Sequence, residues 1–87
     1  MMPLNYAILN YFTTVKRACA DDVIEALKPE YGNFKALRKA EVIEALMTAE
    51  KNALLEEDGY DLDDKGELRV YYKCTPESRT TIKRYIG

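Results

Sequence analysis

Between Leu54-Leu55 and Tyr60 the spacing of the apolar residues changes, and this limits the fold more than any other feature of the chain. Before the change, apolar side chains recur every three or four positions, as on a helix with one buried face. After it they alternate, as on a strand. Leu4, Ile8, Tyr11, Phe12 and Val15 set a first helix that ends near residues 13–16. Pro3 stands where a first-turn proline is tolerated, and Lys16 and Arg17 suit the helix's negative end. A second helix runs through residues 20–27, with Asp21 and Asp22 at its positive end and Val23, Ile24 and Leu27 as its buried stripe. Pro29 is expected to stop it, because proline disfavours helix at the residue before it. Cys19 occupies the capping position, but sulfur accepts hydrogen bonds poorly, so a packed thiol is expected.

After a turn at Tyr31-Gly32-Asn33, a third helix is expected over about residues 36–51. Its apolar face holds Val42, Ile43, Leu46, Ala49 and Ala53; Glu41, Glu44, Thr48 and Lys51 lie opposite, and Asn52 is the expected left-handed stop. Tyr60 and Leu62, then Leu68, Val70, Tyr72 and Cys74, alternate across Asp63-Asp64-Lys65-Gly66, which predicts an antiparallel hairpin. Asp58-Gly59 is a second turn candidate, so the register stays open. Thr75 and Pro76 open a closing helix as cap and first residue, with Ile82, Tyr85 and Ile86 on its apolar side. Helix, helix, helix, hairpin, helix is an α+β order, and 87 residues hold it as one domain with a thin core.

The residue inventory narrows the chemistry. There is no histidine, which removes the commonest general base and the commonest metal ligand. Cys19 and Cys74 are too few for a disulfide scaffold and have no metal-site neighbours, so no cofactor is expected and a reducing cytoplasm suits them. No nucleophile–base pair or phosphate loop can be assembled, so a binding module is expected and not an enzyme. The acidic set Glu56, Glu57, Asp58, Asp61, Asp63 and Asp64 lacks the ligand order of a calcium-binding loop and reads as a solvated loop. No stretch approaches the roughly 20 apolar residues of a membrane span, and residues 4–15 lack the pattern of a targeting signal.

The order of elements, with the residues that fill them, resembles the winged helix-turn-helix domains of bacterial and archaeal transcription regulators, particularly the PadR-like and MarR-like branches. Ile8-Leu9-Asn10-Tyr11-Phe12 is similar to the first helix of that family, and residues 19–27 to its second. Val42, Leu46 and Ala49, followed by Ala53-Leu54-Leu55, match the recognition helix and its exit into the wing; residues 69–77 look most like the family. Two features depart from it. The connection at residues 28–35 is longer than a minimal helix-turn-helix turn, and Ala53 stands where glycine is common. The resemblance implies a three-helix bundle with a β-hairpin wing and a short C-terminal helix. It also implies binding of double-stranded DNA, with the third helix in the major groove and the wing on the backbone.

Charge supports that implication in part. Net charge is +2 over residues 1–20, 0 over 21–40, −5 over 41–60 and +1 over 61–87. Lys35, Arg38 and Lys39 cluster at the start of the third helix, and Lys65 and Arg69 are the expected wing contacts to phosphate, with Tyr71 beside them. Glu41 and Glu44, next to Thr48, make the exposed helix face acidic; a carboxylate there accepts from cytosine or repels phosphate. Tyr6, Tyr11, Tyr72 and Tyr85 fall at apolar positions and are expected in the core, whereas Tyr31, Tyr60 and Tyr71 are freer. Ile82, Tyr85 and Ile86 are the candidate interface of a homodimer matched to a two-fold operator, or else pack on their own domain. The rival expectation is a winged-helix scaffold that binds a protein partner through its acidic third helix.

Overall fold

In a computed structural model, which describes residues 2–86, the elements are α1 (Leu4–Phe12), α2 (Ala20–Tyr31), a 3-10 turn (Lys35–Leu37), α3 (Lys39–Lys51), β1 (Glu56–Leu62), β2 (Leu68–Lys73) and α4 (Pro76–Ile86). The mixed α+β class follows the change of period in the sequence. Phe12, Val23, Val42, Leu46 and Ile82 are the largest fully buried side chains, so every helix supplies at least one to a shared centre. Burying each aliphatic or aromatic side chain of this size is worth about 1.5–3 kcal/mol. The hairpin reaches the core chiefly at its base, through Leu55, Tyr72 and Cys74, with Val70 partly buried against it. Among the described residues no helix is long and apolar enough to cross a membrane.

Pro29 does not end α2, which continues to Tyr31. The proline removes the hydrogen bond its amide would give to the carbonyl of Glu25, an exposed residue that water can serve. Burial of Tyr31 outweighs this loss. Its hydroxyl donates to the carbonyl oxygen of Met2, and its ring meets Phe34 edge-on at 5.2 Å. Gly32 N–H then closes the last turn on the Lys28 carbonyl at 2.9 Å. At the other end, the Cys19 N–H and thiol both donate to the Asp22 carboxylate, at 3.0 and 3.3 Å, while the residue itself is buried.

The third helix starts later than its periodicity suggests. Lys35–Leu37 form a separate turn that plugs Leu37 into the core, and Arg38 then adopts an extended conformation as the cap of α3. Ile43 and Ala53, expected on the apolar face, are both exposed. At the C-terminal end Ala53, and not Asn52, takes the left-handed conformation, with φ of 60°. Leu54 N–H donates to Ala49 and Ala53 N–H to Glu50, at 2.9 and 3.0 Å, which is the Schellman pattern with alanine at its usual glycine position. A left-handed non-glycine residue costs about 1–2 kcal/mol, whereas glycine gives back about 0.4–1 kcal/mol through the freer unfolded chain. Ala53→Gly is therefore expected to stabilise the domain by up to about 1 kcal/mol, seen as a higher urea midpoint at unchanged m-value. A lower midpoint contradicts the left-handed assignment.

The strands pair antiparallel, with Glu57 opposite Tyr72 and Tyr60 opposite Val70, so β1 carries one extra residue at Asp58-Gly59. The second turn candidate is thus a bulge, with Gly59 at φ 90°. The turn proper forms at Asp63, whose carboxylate accepts from the Lys65 and Glu67 amides at 2.9 and 2.8 Å. Ala18, in the α1–α2 connection, exchanges two 2.9 Å backbone hydrogen bonds with Tyr72 and fixes the hairpin base to the helices. Thr75 caps α4 reciprocally with Ser78: each backbone N–H donates to the other's side-chain oxygen, at 2.9 and 3.0 Å.

Candidate interaction surface

The third helix and the hairpin meet along a groove of about 190 Å³, lined chiefly by Ile43, Leu46, Met47, Leu68, Val70 and Tyr72. Ile43, Met47 and Leu68 are 41, 48 and 57% exposed, unusual for side chains of this size. Tyr60 and Leu62 stand directly opposite Val70 and Leu68 on the strands and continue the same apolar face, both largely exposed. Helical spacing puts Ile43 and Met47 one turn apart on the hairpin side of α3. The exposure of Ile43, Met47, Leu62 and Leu68 along this face is the largest feature the sequence reasoning missed. The signal is present in the alternation of the strands and in the i, i+4 spacing of Ile43 and Met47, but the alternation reads equally well as a packed face, and only Ile43 of that pair falls on the expected apolar face of α3.

The residues expected to contact DNA are dispersed. Glu41, Glu44 and Thr48 do not face the groove; with Asn5 and Ile8 they line a separate, open depression of about 420 Å³ between α1 and α3. Lys35 and Arg38 are exposed near the start of α3, and Lys65 at the hairpin tip; none makes an ion pair among the described residues. Lys39 is paired with Asp21 at 3.4 Å. Arg69 lies opposite Asp61 and grips it with Nε and Nη2 at 2.8 and 3.1 Å. The Tyr71 hydroxyl donates to the same carboxylate at 3.1 Å, and the Arg17 guanidinium lies 4.2 Å from the centre of the Tyr71 ring. Arg17 also donates to the Asp58 carbonyl at 3.0 Å, and Lys73 pairs with the Asp58 carboxylate at 3.7 Å.

Electrostatics follow this pairing. The hydrogen bonds from Arg69 hold the Asp61 carboxyl below the usual carboxylate range, and the same contact raises the Arg69 pKa. Burial pushes the Tyr72 hydroxyl up, and the charges of Glu50 and Glu57 push it further. Burial likewise raises the thiols of Cys19 and Cys74, which are free and protonated at neutral pH. Among the described residues, no three His, Cys, Asp or Glu side chains are grouped so as to hold a metal ion.

Of the proposed interface residues on α4, Ile82 is 1% exposed and belongs to the protein's own core. Tyr85 is 76% exposed and, with Ile86, Tyr6, Leu9 and Leu54, borders a small apolar groove of about 160 Å³. Tyr6 and Tyr85 are thus outside the core, and Tyr31, expected to be free, is within it. No protein-family model matches the chain, and no curated protein matches it either.

Proposed function

We propose that the chain is a winged-helix domain whose third helix and hairpin recognise a protein partner. The observation that carries this reading is the charge of the surface. Residues 39–73 hold ten carboxylates and five cations, and three of those cations, Lys39, Arg69 and Lys73, are already engaged by Asp21, Asp61 and Asp58. Duplex DNA presents a negative charge about every 1.7 Å, and affinity for it grows with the phosphates a protein neutralises. A segment of net charge −5, spread over both sides of α3 and the hairpin, repels such a track, while the exposed Ile43, Met47 and Leu68 suit an apolar partner. The winged-helix assignment rests on the order of elements, the direct exit of α3 into the hairpin and the residues noted above. The role is binding without a cofactor, and the two free buried thiols suit the cytoplasm.

A DNA-binding transcriptional regulator is the second reading. It is favoured by Lys35, Arg38 and Lys65, which are exposed without ion pairs, with Arg38 at the start of α3. Fluorescence polarisation separates the two. Labelled helical peptides of about 18 residues, one patterned with leucine and lysine and one with leucine and glutamate, are titrated with the protein. The first reading expects saturable binding of the lysine peptide and none of the glutamate peptide. Failure of both peptides to bind, with a random duplex retained at low salt and lost on Arg38→Glu, Lys65→Glu substitution, overturns it.

A further inference from the structure

We propose that the groove between α3 and β2 is the docking site for one amphipathic helix of a partner protein, apolar on the inserted face and bearing lysine or arginine on its flanks. This deepens the reading of protein recognition and rests on it. The groove has an apolar floor of Leu46 and Tyr72 between walls of Ile43 and Met47 on one side and Leu68 and Val70 on the other. A trough bounded by a helix and a sheet face suits side chains that recur every three or four residues on a helix.

An added strand is a poorer occupant. β1 is the free edge of the hairpin, since β2 is flanked by β1 and by the Ala18 bridge. That edge is bulged at Asp58-Gly59 and lined by Glu56, Glu57, Asp58 and Asp61, devices that discourage edge-to-edge pairing.

Charge identifies the flank of the partner. Glu57 stands directly opposite Tyr72 on the paired strand, and Glu50 lies one helical turn beyond Leu46 and Met47 on α3, so the two stand on two elements beside one end of the groove. Neither makes an ion pair among the described residues. The other charges along the groove, Asp21 with Lys39 and Arg69 with Asp61, are mutually satisfied. An incoming helix therefore meets unmatched negative charge, which favours a basic flank and gives a register.

The leucine–lysine peptide is the probe, titrated into ¹⁵N-labelled protein. Amide shifts are expected to concentrate at residues 43, 47, 50, 57 and 68–72, and the peptide's far-ultraviolet circular dichroism to gain helix on binding. Met47→Lys with Leu68→Lys, at two exposed positions, is expected to weaken binding by about tenfold or more, and Glu50→Gln with Glu57→Gln by several-fold. Tyr85→Ala, on the opposite apolar groove, is expected to leave it unchanged. Shifts centred on α1 and α4, equal binding by a proline-interrupted peptide of the same composition, or no effect of the double lysine variant would overturn the assignment. A dimer seen by light scattering and broken by Met47→Lys would assign the groove to a second copy and overturn it too. Binding of the lysine peptide elsewhere, or of no peptide, sinks this site alone; a random duplex bound in place of every peptide sinks the reading beneath it as well.

Discussion

Phe12→Ala is expected to destabilise the domain by about 3–5 kcal/mol. Phe12 is fully buried at the end of α1, where its ring meets the edge of Tyr11 at 5.7 Å and faces the shared centre of the helices. Removal of the ring forfeits its transfer energy and leaves a cavity that the surrounding core side chains can only partly fill. A domain of 87 residues has a total stability on the order of 4–13 kcal/mol by size alone, so this one substitution consumes a large share of it. Urea unfolding monitored by circular dichroism is the measurement. Phe12→Leu, which keeps most of the volume, is expected to lose far less. A loss below about 1 kcal/mol for the alanine variant would show that Phe12 is not the centre of the core.

The second large effect distinguishes the inside of α4 from its outside. Ile82→Ala is expected to cost about 2–5 kcal/mol, because Ile82 is buried in the protein's own core. Tyr85→Ala, one turn further on the solvent side, is expected to change stability by less than about 0.5 kcal/mol. The helix bearing both is fixed by its Thr75–Ser78 cap and by Arg79, whose guanidinium donates to the Thr13 carbonyl at 2.5 Å. The two variants are compared by thermal and urea unfolding over a range of protein concentrations. If Ile82 instead served a subunit interface, its alanine variant would lose stability in a concentration-dependent way.

The helices were legible because their apolar residues recur strongly at helical spacing, and Thr75-Pro76 announced α4 through its own capping chemistry. Local rules failed where a distant contact decided the outcome. Pro29 reads as a stop, yet Tyr31 is held by Met2 and Phe34, and the helix runs on. Asn52 tolerates a left-handed turn better than alanine does, but the Schellman hydrogen bonds set the reversal one residue later, at Ala53. Ile43 lies at the margin of the apolar face of α3, where burial depends on whether another element covers it. None does. The hairpin extends past the helices, so its alternation survived as a pattern while Tyr60, Leu62 and Leu68 remained uncovered.

The candidate surface was less legible for the same reason. That Asp61 neutralises Arg69 depends on the strand register, and the register depends on a bulge that the sequence presents equally well as a turn. Arg17, far away in sequence, joins that cluster through Tyr71 and Asp58. Arg69 reads in the sequence as a wing contact available to phosphate, whereas it is held by the neighbouring Asp61 carboxylate, as Lys73 is by Asp58.

The most direct measurement is a titration of ¹⁵N-labelled protein with random duplex DNA at low salt, where any attraction to phosphate is strongest. Recognition of protein by the third helix and hairpin predicts no saturable amide shifts at residues 39–51 or 56–73. Saturable shifts centred on Lys35, Arg38 and Lys65, with an affinity that falls steeply as salt is added, would contradict it.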